Sequence, residues 1–340
     1  MSSCENKHLK FDTVKIRTNK EYLKDTLIKF NSKYNSNGDL INKYYNSKDD
    51  KLIPYNLYIG ISDNSQSLTL EFSSKILLDD YPKLITKDTF KQCLENINQL
   101  DICTLDADSI ANDCYFSKVH ITNDIKYPLT NDVLDSLNSN VNDYRRYQWE
   151  HYRKDGIRFK KDVKSISCKE SIVMYNKEKE IVNNVDFLSI LSKPNEVIDY
   201  FDGVTRFEME LDKPKKICKA LNIDTTHISK VFNSKENPLL VQFNKIFGIG
   251  EIEDRQYIAN YETYAMDAII EKHSGDIKKI EQEMKDLHVY SSNSRNGLSE
   301  RMKKIKALIE QRNERLYNSR GILTEIRVKL GEKAPIPAQI

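Results

Sequence analysis

The segment Ser171-Ile172-Val173-Met174-Tyr175-Asn176-Lys177-Glu178-Lys179-Glu180 brings a phenol, an ammonium and a carboxylate close together in the chain. Its first half, Ile172 to Tyr175, is short, apolar and rich in β-branched residues, as a strand should be. If that strand runs on through Lys177, alternation puts Val173, Tyr175 and Lys177 on one face. A phenol and an ammonium on one face suit attack on a phosphodiester: one is a nucleophile, the other a counter-charge for phosphate. The alternative is a strand-end tyrosine that packs its ring and wets its hydroxyl. Three further predicted strands each carry an apolar face and, opposite it, one residue suited to chemistry: Glu71, His120 and Glu208. If these strands share a sheet with helices behind it, all four residues meet on its open side. There the carboxylates and the imidazole would hold a divalent metal beside the tyrosine. Oxygen ligands suit Mg2+ or Mn2+, and the imidazole tilts the site toward Mn2+ or another transition metal. Alternation permits that meeting without demanding it, and a solvated strand glutamate is the ordinary alternative.

The elements that must position these residues follow from periodicity. Strands are predicted over 11–17, 57–61, 67–73, 115–122, 171–177 and 204–211. An amphipathic helix is predicted over 20–30 and a loop over 31–50. Further helices are predicted from Thr86, from an N-cap at Thr130, over 185–191 and over 213–221. This order implies an α+β fold: a mostly antiparallel central sheet with flanking helices, followed by a helical C-terminal region. The expected division is a first domain over 1–237, a helical region over 238–333 with a hinge at 291–297, and a flexible tail over 334–340.

Composition narrows the class. The chain has 340 residues, 31% of them charged and 39% hydrophobic, which is globular rather than membrane-embedded usage. It offers no apolar run of the roughly 18–20 residues a membrane span requires. The polar first ten residues predict no secretory signal. Six cysteines are scattered without C-x-x-C pairing, so neither a zinc site nor a disulfide framework is expected, and reduced cytoplasmic thiols are. Net charge is only +2, so any nucleic-acid affinity must come from a local patch. The densest basic span is 144–164, with eight Lys/Arg against three acids. In it Arg145, Arg146, Arg153, Lys154, Arg158, Lys160 and Lys161 alternate with Tyr147, Trp149 and other aromatics. Cations neutralise phosphates while rings stack on bases, a composition suited to single-stranded DNA. The alternative is a Tyr-rich helix and hairpin with a solvated charged face.

Four pieces of the chain together resemble the rolling-circle replication initiators of filamentous phages and related plasmids, the gene-two/gene-ten type. They are the strand at 11–17; Leu70-Glu71-Phe72-Ser73-Ser74 with the helix from Thr86; the Tyr175-x-Lys177-x-x-Glu180 pattern; and Gly203-Val204-Thr205-Arg206-Phe207-Glu208. The likeness runs over about 11–247 and is weak beyond. It implies an initiator-nuclease fold over the first domain and site-specific nicking and rejoining of one DNA strand at an origin. Carried over by residue, Tyr175 becomes the nucleophile of a 5′-phosphotyrosine intermediate and Lys177 the phosphate partner. Glu180, Glu71 or Glu208 serves as base or ligand, and Arg206 joins the DNA-binding set. Implied partners are origin DNA, single-stranded or supercoiled, with a host helicase and polymerase; the implied location is the host bacterial cytoplasm. One departure matters: the family has an Asp where this chain has His120, with Asp124 four residues on. Either His120 takes over as ligand or Asp124 reaches in from the strand end. Two non-enzymatic readings stand beside this one, an origin-binding or copy-control protein and a partner-binding protein built on the C-terminal helices.

Overall fold

The structure, a computed structural model, describes residues 9–50, 52–141, 147–152, 156–161, 171–247, 260–273, 275–286 and 295–331. Its strands are β1 (Phe11–Asn19), β2 (Leu23–Thr26), β3 (Asn31–Tyr34), β4 (Leu40–Asn46), β5 (Leu57–Ser62), β6 (Ser67–Ser73), β7 (Cys103–Leu105), β8 (Tyr115–Lys126), β9 (Tyr147–Tyr152), β10 (Gly156–Lys161), β11 (Ser171–Asn176) and β12 (Val204–Leu211). Ten of them form one sheet in the order β3-β4-β5-β6-β1-β8-β12-β11-β10-β9. Neighbours in it pair antiparallel throughout. With helices flanking it and more helices after it, the chain is α+β, as expected.

One face of the sheet is apolar because alternate residues of its central strands are apolar: Val14, Ile16, Leu68, Leu70, Phe72, Phe207 and Met209 are all buried. Helix Phe90–Asn98 lays Phe90, Cys93, Leu94 and Ile97 against it, a 3–4 spacing that gathers one helical stripe. The rings of Phe11, Phe90, Phe116 and Phe232 meet there with centroids 5.6–5.9 Å apart. The opposite face keeps its polar residues, and that is where the site lies.

Three local expectations change. Residues 20–30 are not a helix: Lys20–Tyr22 is one 3-10 turn, capped by the Asn19 side chain, and β2 then pairs with β7. Tertiary pairing overrides the apolar spacing of Tyr22, Leu23 and Leu27. Residues 31–50 hold the β3–β4 hairpin rather than a loop. Polar residues mask its alternation, since at the sheet edge both faces of β3 are exposed to water. Finally, β8 continues to Lys126, so Thr122-Asn123 is strand interior and Asp124 lies inside the sheet.

Two register shifts re-aim side chains. Phe11 faces Ile121 and Thr13 faces His120, leaving Asp12 as an extra residue on β1. Ser117 is likewise skipped between Lys118 and Phe116. Such a bulge turns one side chain out of alternation, which is how Phe116 joins the core while Lys118 and His120 stay on the open face.

The described residues fall into two compact units, those within 1–129, 143–246 and 329–340 in one and those within 130–142 and 247–328 in the other. Helix Pro238–Phe247, expected to open the C-terminal region, lies almost wholly in the first unit, where Phe243 meets Phe207 at 6.3 Å. In the second unit, helices Tyr261–Lys272, Ile277–Asp286 and Arg295–Leu330 share a core of Met266, Ile270, Ile280, Met284, Met302 and Ile305. Gly297 of the expected hinge is inside the last helix, and the expected tail falls outside the described residues. Among the described residues no helix is long and apolar enough to cross a membrane.

Candidate active site

The open face collects its residues by register. Tyr175 pairs across to Arg206 and Val173 to Glu208, and Arg206 and Glu208 pair in turn with Asp124 and Thr122. Directly paired residues share a face, so these side chains and His120 project to the same side. A cavity of about 310 Å³ opens here, lined among others by Asp12, Lys75, His120, Tyr175, Lys177, Glu180 and Glu208.

Within it the Tyr175 hydroxyl donates to Glu208 Oε1 at 2.7 Å. Lys177 does not extend the strand: Asn176 ends β11, its side chain accepts from the Lys179 amide at 2.9 Å, and helix Lys177–Val182 begins. An asparagine just before a charged run with glutamates in its first turn is a helix-start signal. The turn nevertheless leaves Lys177 in the cavity, 2% exposed and ion-paired with Glu180. Lys75 Nζ reaches the other Glu180 oxygen at 3.2 Å.

Beneath these lies a buried ion network. Arg206, 0% exposed, grips Asp124 through Nε and Nη2 at 2.6 and 2.7 Å. Its Nη1 donates to Asp12 Oδ1 at 2.7 Å and to the Tyr81 hydroxyl at 2.8 Å. Tyr81 and Phe201 flank the guanidinium, with ring centroids 5.2 and 5.3 Å from Cζ. Ser74 adds a hydrogen bond to Asp12 at 2.9 Å.

These neighbours set the protonation states. Burial, then the Asp12 carboxylate, push Glu208 up to about 7, against the pull of Arg206. Burial, then Glu208, hold the Tyr175 phenol well above its ordinary value, so the resting residue is neutral. Burial and the Arg206 charge bring Lys177 down to about 8, though Glu180 pulls the other way. Burial opposes ionisation of Glu180, but Lys177 and Lys75 outweigh it and its carboxyl is well below the usual range. Asp12 is likewise lowered, because Arg206, Lys177 and Lys75 overcome its burial. Burial lowers His120, leaving a neutral imidazole near pH 7.

The sequence-predicted residues separate accordingly. Tyr175, Lys177, Glu180, His120 and Glu208 do come together. Glu71 does not line this cavity; Lys118 and Lys15 hold it at 2.9 and 3.2 Å. Glu208 accepts from the phenol through Oε1, and of the expected metal set only His120 and Glu208 line this cavity. Among the described residues no three His, Cys, Asp or Glu side chains form a metal-binding group. Arg206, expected on DNA, is enclosed and donates to Asp124, Asp12 and Tyr81. Asp124 binds that arginine from within the strand rather than reaching a metal from its end. In the basic span, Arg158 pairs with Glu210 at 3.2 Å and Glu150 at 3.6 Å, and Lys160 pairs with Glu150. Trp149 is 37% exposed on the same hairpin and packs on His151. Tyr147 and Lys161 terminate its strands, while Arg145, Arg146, Arg153 and Lys154 lie outside the described residues.

Sequence reasoning missed Asp12, Lys75 and Tyr81. A bulge is invisible to strict alternation, and Lys75 and Tyr81 come from the 3-10 segment Ser74–Lys83, which has no period to read. It also missed Gly156, which faces Tyr175 across β10 and β11. A Cβ there would stand 2.6 Å from the Tyr175 Cβ and 2.7 Å from the Met174 carbonyl oxygen. Backbone atoms cannot yield as a side-chain tip can. Gly156→Ala is therefore expected to cost about 1–3 kcal/mol by overpacking and to displace the phenol, read by thermal unfolding and by any activity of Tyr175.

No protein-family model, curated protein or solved structure gives a significant match to the chain.

Proposed function

We propose that this chain nicks and rejoins one strand of DNA through a covalent 5′-phosphotyrosine at Tyr175, as a replication initiator acting at an origin. The observation that carries the reading is the Tyr175 hydroxyl bonded to Glu208, a carboxyl raised to about 7, in a cavity that also holds Lys177 and Lys75. A neutral phenol is a poor nucleophile, and a base within hydrogen-bond reach with a pKa near the working pH is the usual remedy. In the reaction Tyr175 Oη attacks phosphorus, its proton passes to Glu208 Oε1, and the bond from phosphorus to the 3′-oxygen breaks. The released 3′-oxygen takes a proton from water and becomes a 3′-hydroxyl that a host polymerase can extend. Rejoining is the reverse: a 3′-hydroxyl gives its proton to water as it attacks phosphorus, the bond from phosphorus to Tyr175 Oη breaks, and Glu208 returns its proton to that oxygen. Lys75 and Lys177 share the single charge of Glu180, so the trio keeps a net positive charge toward the phosphate. Glu180 thus supports the lysines, and Glu208 takes the role of base.

The acid-base pair predicts a pH profile. Glu208 must be ionised to accept the proton and Lys177 protonated to offset charge. The rate is expected to rise with an apparent pKa of about 7 and fall with one of about 8. Glu208→Gln removes the rising limb and lowers the rate by about 10²–10⁴. The same raised pKa has a stability counterpart. Folded Glu208 keeps its proton where the unfolded carboxyl has lost it, so stability falls between about 4.5 and 7 as pH rises.

The test is incubation of the full chain with a randomised single-stranded DNA pool and with supercoiled plasmid, each with Mg2+, Mn2+ or EDTA. A protein–DNA adduct on the 5′ end supports the reading. The three conditions decide whether the divalent ion expected from the sequence belongs to the reaction. DNA affinity without an adduct under every condition would instead favour an origin-binding or copy-control protein, for which the tight closure of the Arg206 network provides a purely structural role.

A further inference from the structure

Arg206 is enclosed and Arg158 and Lys160 are matched by two acids, whereas Lys15 and Lys118 share the single carboxylate of Glu71 and Arg17 is exposed, so a DNA strand entering the cavity is better served by a different path. The open face of the sheet supplies one, on strands where sequence reading saw no DNA-binding residues.

The register places Lys15 beside Lys118 on one side and Glu71 on the other, and Glu71 beside Tyr58. Arg17 shares the Lys15 face two residues on and is exposed. Tyr44 pairs with Gly60, next to Tyr58 on the same face. On this part of the face, apart from Asp12, which is held by Arg206 at the cavity, the three cations Lys15, Arg17 and Lys118 stand against one carboxylate, Glu71, which Lys15 and Lys118 share. On the far side of Tyr175, Arg158 and Lys160 are matched by two acids, Glu150 on the same hairpin and Glu210 on β12.

The cations stand beside rings. Tyr44 and Tyr58 stack with centroids 6.0 Å apart and planes 21° off parallel, and Lys15 Nζ lies 5.5 Å from the Tyr58 ring. Gly60 makes room for this: a Cβ there would be 2.7 Å from the Tyr58 hydroxyl, so the ring lies along its own strand against bare backbone. Both rings are only half-buried. From Tyr58 on β5 to Tyr175 on β11 the sheet order counts five strand steps, or roughly 24 Å at ~4.8 Å per step. Along that line lie Lys15, Lys118 and then His120 at the cavity.

Cations that follow a backbone, with rings at one end for unpaired bases, are what single-stranded DNA requires and what duplex DNA, with its bases already stacked, cannot use. We propose that this face is a track for single-stranded DNA, with Tyr44 and Tyr58 as the stacking platform and Lys15, Arg17 and Lys118 on the phosphates, leading the strand to Tyr175. The inference rests on the proposed function for the identity of its ligand. It adds the place where that ligand is held.

The test uses the full chain and a fluorescein-labelled oligo(dT) of ~20 nucleotides, followed by anisotropy. Tyr44→Ala and Tyr58→Ala are expected to weaken binding roughly five- to a hundredfold, while Tyr58→Phe keeps the ring and stays within about twofold. Lys15→Gln with Lys118→Gln should reduce the slope of log affinity against log salt by about 1.4, at ~0.7 per phosphate contact on a single strand. Thermal unfolding of each variant identifies any that fail to fold, and photocrosslinking of a bromodeoxyuridine oligonucleotide to the wild type maps the platform without substitution. Ring variants that bind like wild type while the adduct at Tyr175 still forms overturn the track and leave the chemistry standing. Weakened ring variants from a chain that never forms an adduct support the track and remove the chemistry. Wild-type protein that ignores oligo(dT), prefers duplex, or crosslinks only outside β4 and β5 overturns the track.

Discussion

Tyr175→Phe is expected to lose covalent attachment to DNA by more than about a thousandfold while still folding. The substitution deletes one oxygen from a side chain that is 5% exposed, and the ring keeps its packing on Tyr152 at 5.6 Å. What remains is Glu208 without its donor. A buried acceptor left unpaired costs about 1–3 kcal/mol, and Glu208 is placed to soften that by keeping its own proton, since its carboxyl is already raised to about 7. The variant should therefore show a modest loss in thermal stability, an unchanged affinity for single-stranded DNA and no adduct on a denaturing gel. Persistent adduct in Tyr175→Phe would move the nucleophile elsewhere and sink the assignment.

The largest effect on stability is expected at Arg206. Removing one member of a buried ion network leaves uncompensated charge, at a cost of about 3–5 kcal/mol. In Arg206→Met the abandoned partners are Asp12 and Asp124, whose side chains are 19% and 6% exposed, together with the Tyr81 hydroxyl. A fall in the denaturation midpoint at neutral pH is the readout, and it should shrink at low pH, where the stranded carboxylates take up protons. The double variant Arg206→Met with Asp124→Leu should recover part of the loss, because it deletes one stranded charge. Strict additivity of the two changes would contradict the coupling that their shared hydrogen bonds require.

These two residues also mark how far sequence reasoning reached. Alternation in Val204–Leu211 correctly put Arg206 and Glu208 on one face, and the apolar run before Tyr175 correctly made a strand. Those are period-two statements, and a strand with one buried face obeys them. What alternation cannot carry is depth. It reads Arg206 as a side chain on an open face, whereas Tyr81, Phe201 and Phe187 close over that end of the sheet from segments with no strand period. Depth put Arg206 in a buried ion network and set Glu208 within hydrogen-bond reach of Tyr175. Lys177 reached the site by a route the strand reading did not contain, as the first residue of a helix capped by Asn176. The β3–β4 hairpin was hidden for the opposite reason: β3 is exposed on both faces and shows no apolar alternation, and it is held through its backbone ladder to β4, which pairs in turn with β5.

The Arg206 network joins residues very far apart in the chain, 194 positions to Asp12 and 82 to Asp124. Loop closures of that size come late, because their entropy is lost before the contacts they permit are gained. A chain still leaving the ribosome can therefore display Tyr175 on a formed hairpin long before β1 and β12 have been brought to flank β8. Until then Glu208 has neither the burial nor the Asp12 neighbour that raise it toward neutrality. Competence for the proposed chemistry would then arrive as one of the last events of folding, and a proteolytic fragment lacking β1 should keep its tyrosine while losing the reactivity proposed for that residue.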